Sequence, residues 1–258
     1  MDLLIVGGAF QHVYTQTRSI PTSSEIVEGI TGIAAWNGSH WFSIIENSPS
    51  VVHCILVDRT LMYVSGDFTG FGNQVAVLNG TSISFLCETQ LPFICGVLGG
   101  EVYAMAVMNN DLFVGGSFTQ AGNSNAQKLA RWDGTQWFSV ASLNGIVYAL
   151  HIFGERLIIG GEFTSCDRRS ALHIAEYSEG SCSGFSEGLN GPVYALSGVG
   201  NCLYLCGMFN ATSMQQRLHN IPIQNVVRWC VDDTSSTTLE AIDWGELNSK
   251  ACKGITQL

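Results

Sequence analysis

"LFVGGSFTQAGNSNAQKLARWDGTQWFSVASLNGIVYAL", residues 112–150, contains every part from which the rest of the chain is built. An apolar run ends in Gly115-Gly116 and is followed by Ser117-Phe118-Thr119. A polar loop leads to Leu129–Trp132, which turns at Asp133-Gly134 into Trp137 and Phe138. Leu143-Asn144-Gly145 then introduces a new apolar run at Val147. β-branched and aromatic residues in alternation favour strands, and an Asp-Gly pair between apolar flanks is a tight-hairpin signal. The stretch therefore reads as strand, loop, strand, turn, strand, with the next strand following.

The same phrase recurs along the whole chain. Strand ends resembling "LFVGG" occur at "LLIVGGAF" (3–10), "LMYVSGDFTG" (61–70), "LIIGGEFTS" (157–165) and "LYLCGMFNAT" (203–212). The matching glycines are Gly8, Gly66, Gly116, Gly161 and Gly207, separated by 58, 50, 45 and 46 residues. Periods of this length fit four-stranded propeller blades and exceed those of leucine-rich or short helical repeats. First strands precede the glycines at 51–57, 101–107, 146–152 and 192–198, and Asn/Asp-Gly hairpins follow them. No segment combines helical periodicity with helix caps, so the expected class is all-β. Each Gly-x-Phe reads structurally. The glycine allows a close backbone approach, and the phenylalanine fills the space between blades.

The first unit starts at its second strand, while "CKGITQL" (252–258) aligns with a first strand. Gly254–Leu258 is therefore expected to complete the opening blade, with an open array continuing into a longer parent protein as the competing reading. This gives one β-propeller domain over residues 1–258, with five four-stranded blades closed by a C-terminal strand. Such closure removes exposed sheet edges.

With 46% hydrophobic residues the chain can bury a large core. Only 12% of residues are charged and the formal net charge is -10, which excludes nucleic acid and anionic lipid as expected partners. No apolar run is long enough for a transmembrane helix, so no direct membrane span is expected. "MDLLIVGGAF" lacks the basic start of a signal peptide. Nine cysteines and the sequons at Asn37, Asn79 and Asn210 nevertheless fit the secretory pathway and an extracellular or cell-surface destination. The expectation that reconciles these observations is a piece of a longer secreted protein.

Three elements in 112–150 carry a family resemblance: Gly-Gly-x-Phe-Thr, Ala-Arg-Trp-Asp-Gly-x-x-Trp and Leu-Asn-Gly-x-Val-x-Ala-Leu. Together they resemble the repeats of the fungal cortical cell-polarity marker proteins, and Kelch-like repeats of other secreted proteins. The resemblance implies a β-propeller ectodomain of a large cell-surface glycoprotein. It implies no reaction.

The search for chemistry is largely negative. The six histidines are scattered and none pairs at i, i+4, so no metal site is expected. No phosphate loop, dinucleotide fingerprint or nucleophile elbow occurs, and no cofactor is expected. Asp67 and Glu162 occupy the same position between glycine and phenylalanine, and Glu101 lies nearby in the pattern. Carboxylates on one face would suit glycoside hydrolysis only at the right separation. Exposed loop positions explain them as well, and no catalytic residue is expected.

The cysteines read as staples. Cys87 with Cys95, Cys166 with Cys182 and Cys230 with Cys252 are the candidate pairs. Cys202 and Cys206 are too far apart on one strand to bond to each other. An odd cysteine remains, which would be free, join another chain or have lost its partner when a longer parent was cut. Trp36, Trp41, Trp132 and Trp137 recur by unit, as does Trp229, and are the candidate sugar-stacking rings. The leading expectation is a non-catalytic structural, adhesive or assembly module with protein partners or self-association. A carbohydrate-binding propeller with a glycan ligand is the alternative, and a glycosidase is third.

Overall fold

The computed structural model describes residues 3–14, 26–27, 29–45, 49–68, 72–80, 82–88, 94–210, 225–231 and 237–241. The fold is all-β, and its main sheets are antiparallel meanders that follow one another along the chain. The first sheet joins Leu4–Gly7, Ile33–Trp36 and Trp41–Phe42. The second joins Val51–Asp58, Leu61–Phe68, Gly72–Asn79 and Ser82–Phe85. Val102–Met108, Asp111–Gly116, Leu129–Trp132 and Trp137–Ser139 form the third. Val147–Phe153, Arg156–Gly161, Ile174–Ser178 and Ser181–Gly184 form the fourth. The fifth consists of Val193–Val199, Cys202–Gly207, Val226–Val231 and Thr237–Ala241. The first strands of the second to fifth sheets lie side by side in series, so consecutive sheets pack face to face around them. Gly254–Leu258, the segment expected to complete the first sheet, lies outside the described residues.

Four apolar clusters fill the spaces between consecutive sheets, each drawing residues from both neighbours. In the second to fifth units the phenylalanine of Gly-x-Phe anchors one of them. Phe68, Phe118, Phe163 and Phe209 are no more than 2% exposed. The glycine pair has two distinct jobs. A Cβ on Gly115 would lie 2.4 Å from Cγ1 of Val147 in the next sheet, and one on Gly160 would lie 2.7 Å from Cγ1 of Val193. This first glycine lets the next sheet approach. A Cβ on Gly116 would lie 1.9 Å from the carbonyl oxygen of Glu101, in the strand before it. The second glycine thus admits a β-bulge.

The hairpin tips form as the Asn/Asp-Gly signal predicts. Asp133 Oδ1 accepts hydrogen bonds from the Thr135 amide (2.8 Å), the Thr135 hydroxyl (2.8 Å) and the Gln136 amide (3.0 Å). Asn37 Oδ1 does the same for the Ser39 amide (3.0 Å), the Ser39 hydroxyl (2.9 Å) and the His40 amide (3.0 Å). This Asx-turn holds the tip without help from the rest of the sheet.

Three disulfides are described: Cys87–Cys95, Cys166–Cys182 and Cys202–Cys230. The last corrects the expectation that Cys230 braces the tail through Cys252. Cys202 and Cys230 stand directly opposite on adjacent strands, with Cα atoms 4.1 Å apart, so the cross-strand bond is short and local. Cys206 is also disulfide-bonded, to a partner outside the described residues, and Cys252 lies outside them too. Cys54 is the free cysteine among the described residues. Burial pushes its thiol up to about 12, which leaves it protonated and unreactive at neutral pH.

A candidate binding site on the innermost strands

The site originates in the β-bulges. Register shifts occur between Val52 and Cys54, Val102 and Ala104, Val147 and Ala149, and Val193 and Ala195. A bulge leaves one residue unpaired and re-aims its side chain. The residues so released are His53, Tyr103, Tyr148 and Tyr194, one per sheet. Because the innermost strands are neighbours, the four rings form an arc. Ring centroids are 6.0 Å apart for His53 and Tyr103, 5.9 Å for Tyr103 and Tyr148, and 5.2 Å for Tyr148 and Tyr194. All four are half-buried.

The residue between glycine and phenylalanine supplies the polar rim. The amides of Ser117, Glu162 and Met208 donate to the carbonyls of Glu101 (2.9 Å), Ile146 (2.8 Å) and Pro192 (2.8 Å), two residues before each tyrosine. The backbone thereby delivers each rim side chain to its ring. Ser117 Oγ donates to the Tyr103 hydroxyl at 3.5 Å, the Tyr148 hydroxyl donates to Glu162 Oε2 at 3.0 Å, and the Tyr194 hydroxyl donates to Met208 Sδ at 3.4 Å. Glu101 reaches His53 Nε2 at 3.8 Å and is among the groups that raise the Tyr103 phenol. Burial, and then the Glu162 carboxylate, push the Tyr148 hydroxyl up to about 12. Burial is also the main cause that raises Tyr103, with Glu101 adding to it against the Ser117 hydrogen bond. The Tyr103 and Tyr148 phenols are therefore neutral hydrogen-bonding groups at physiological pH.

Of the carboxylates singled out from sequence, Glu101 and Glu162 belong to the arc. Asp67 lies in the second sheet and Glu162 in the fourth, with the third sheet between them. These two do not form a contacting acid–base pair. His53 joins the arc, whereas His151 lines a separate open cleft of about 730 Å³ with Phe153, Arg156, Ser178, Gly198 and Val231. Burial lowers the pKa of His151 and is also the main cause that lowers His173.

Trp132 and Trp137 are 8% and 3% exposed, tilted against each other with ring centroids 5.2 Å apart, within the core between the second and third sheets. Their faces are not offered to a sugar, which corrects the stacking expectation for this pair. Trp36 and Trp41 repeat the arrangement at 5.4 Å and are half-buried. Trp229 is buried against Phe153 and Phe185. Asn79 and Asn210 are exposed, and Asn37 sits half-buried at its exposed tip. Asn210 Oδ1 accepts a hydrogen bond from Asn190 at 2.6 Å.

Two groups escape a reading by residue type. The arc tyrosines look like ordinary strand residues, and only their identical place in "EVYA", "IVYA" and "PVYA" marks them as a set. Glu88 is a buried carboxylate, 6% exposed, that accepts from the amide and side chain of Asn123 and from the Trp137 amide at 2.9 Å. It fastens the exit of the second sheet to the edge of the third. No motif announced it.

Comparison with known proteins now gives this architecture a family. The model of the Rax2 C-terminal beta propeller domain matches residues 81–250, more than half of the chain. The chain belongs to this family. No curated protein matches it. No helix among the described residues is long and apolar enough to cross a membrane.

Proposed function

We propose that this chain is the propeller ectodomain of a cell-surface glycoprotein of the polarity-marker type, working by adhesion or assembly and not by catalysis. Its place in the propeller family carries the reading. Disulfides at the exit of the second sheet and in the fourth and fifth sheet regions support it, since such bonds persist in oxidising compartments. Kelch-like repeats, five blades and closure by Gly254–Leu258 complete the proposal. The unpaired inner edge of Leu4–Gly7 among the described residues supports closure. N-glycosylation is assigned to Asn37, Asn79 and Asn210, and self-association or a protein partner supplies the working contact.

Antibody staining of intact, unpermeabilised cells tests the location, together with the mass shift on enzymatic removal of N-glycans. Surface staining and a glycan-dependent shift are expected. Reduced cysteines in a cytosolic, unglycosylated protein would overturn the proposal.

A further inference from the structure

We propose that the aromatic arc is a receptor for a guanidinium or ammonium group presented by a protein partner. Tyr148 donates to Glu162 and Tyr194 donates to Met208, whereas the Tyr103 hydroxyl accepts from Ser117. With the Tyr148 and Tyr194 protons engaged inside the protein, these two phenol oxygens can offer an incoming group only lone pairs. A ligand of many N–H donors and no acceptors satisfies that pattern. A neutral sugar, which both donates and accepts, satisfies it less well.

Charge points the same way. Ring faces are electronegative and attract cations within about 6 Å. Glu101 and Glu162 add formal negative charge along the arc, and the chain as a whole carries -10. The positive groups facing this region are already engaged or are neutral near pH 7. Lys128 Nζ donates to the Ser117 carbonyl at 2.6 Å, His53 lies against Glu101, and His173, whose pKa is lowered, lies near Glu162. Arg suits such a site best, because its planar fork both stacks on rings and bonds carboxylates in pairs.

This inference rests on the adhesive reading only in taking the partner to be a protein; it does not depend on glycosylation, location or self-assembly. Titration calorimetry of the full chain with a hexa-arginine peptide tests it, alongside hexa-glutamate and a neutral β-linked glucose hexamer. Saturable binding of hexa-arginine is expected, weakened about tenfold or more by Glu101→Gln or Glu162→Gln. Tyr148→Leu, which removes a ring, is expected to weaken it similarly. The double substitution Glu155→Gln/Glu179→Gln, at exposed hairpin tips, is the control for diffuse attraction to an acidic surface. An equal loss in that control, binding of the glucose hexamer instead, or no binding of hexa-arginine would each overturn the proposal. The carboxamide variants keep shape and size, so circular dichroism matching the parent chain separates lost binding from lost folding.

Discussion

The fourth sheet and the first are built from the same repeat, yet they are held to very different degrees. The fourth has four strands, a disulfide from Cys166 to Cys182, and Phe163 sealed at 1% exposure. Asn144 clamps its loop, accepting from the amides of Thr164 (2.8 Å) and Ser165 (3.0 Å) and donating to the Thr164 hydroxyl (2.8 Å). The first sheet has three short strands among the described residues, and Leu3 and Leu4 are 47% and 57% exposed. Its Gly-x-Phe phenylalanine, Phe10, is only half-buried. Identical motifs therefore do not confer equal stability. What differs among the described residues is the packing: Phe163 sits in the cluster shared by the third and fourth sheets, whereas Phe10 packs against residues of its own unit.

The sharpest way to break this contrast is to cut both phenylalanines back. Phe163→Ala should cost about 3–5 kcal/mol, the usual penalty for emptying a sealed aromatic site. Phe10→Ala should cost about 1 kcal/mol, because its ring is already partly in water. Urea unfolding reads both, and equal losses would mean that the first sheet is as tightly packed as the fourth. Next in size is the staple. Replacing Cys166 and Cys182 together by Ala should lower stability by about 3 kcal/mol for a loop of this length. Amide exchange should then quicken in the fourth sheet toward the rate of the first. An unchanged exchange pattern would show the bond to be redundant.

The clamp comes third. Asn144→Ala strands two backbone donors and should cost about 1–2 kcal/mol, measured as a lowered melting temperature. The hairpin tips give the smallest effect. Asp133→Ala and Asn37→Ala should each cost about 0.5–1 kcal/mol, comparable to loss of a cap, and here the two regions should agree. Hydrogen bonds from the Gln136 and Thr135 amides hold the Asp133 carboxyl below its ordinary range, whereas Asn37 does not titrate. The Asp133 tip should thus lose its extra hold as pH falls through that lowered pKa, and the Asn37 tip should not. Half-buried His151 and His173 add a second acid-side trend. Their pKa values are lowered on folding, so stability is full above about 6.5 and declines as pH falls below it. Thermal melts of His151→Asn should flatten that decline.

Much of the architecture was legible in the chain because it is written in residue types that have few other uses. Gly116 and Gly161 mark bulges, and Asp133-Gly134 marks a turn. Both are local requirements that reading a few residues reveals. The aromatic arc was less legible, since Tyr103, Tyr148 and Tyr194 come together only through the series of innermost strands. The Cys202–Cys230 bond was hidden for a related reason. It depends on the register of two strands whose connection runs through residues 208–225, and sequence spacing does not fix that register. Aligning Leu203 with Leu157 and Trp229 with Tyr177 would have placed the cysteines opposite one another. Glu88 left no trace at all, because a carboxylate followed by polar residues ordinarily indicates a loop.

The equivalence of the Asn37 and Asp133 tips also bears on how such a surface can evolve. Aspartate and asparagine codons differ by a single base, and Thr135 already stands two residues after Asp133. Asp133→Asn would therefore create a sugar acceptor on the third sheet while leaving the hydrogen bonds of its turn in place. Lineages can accordingly gain or shed a sequon at individual hairpin tips by one nucleotide change, with the scaffold untouched.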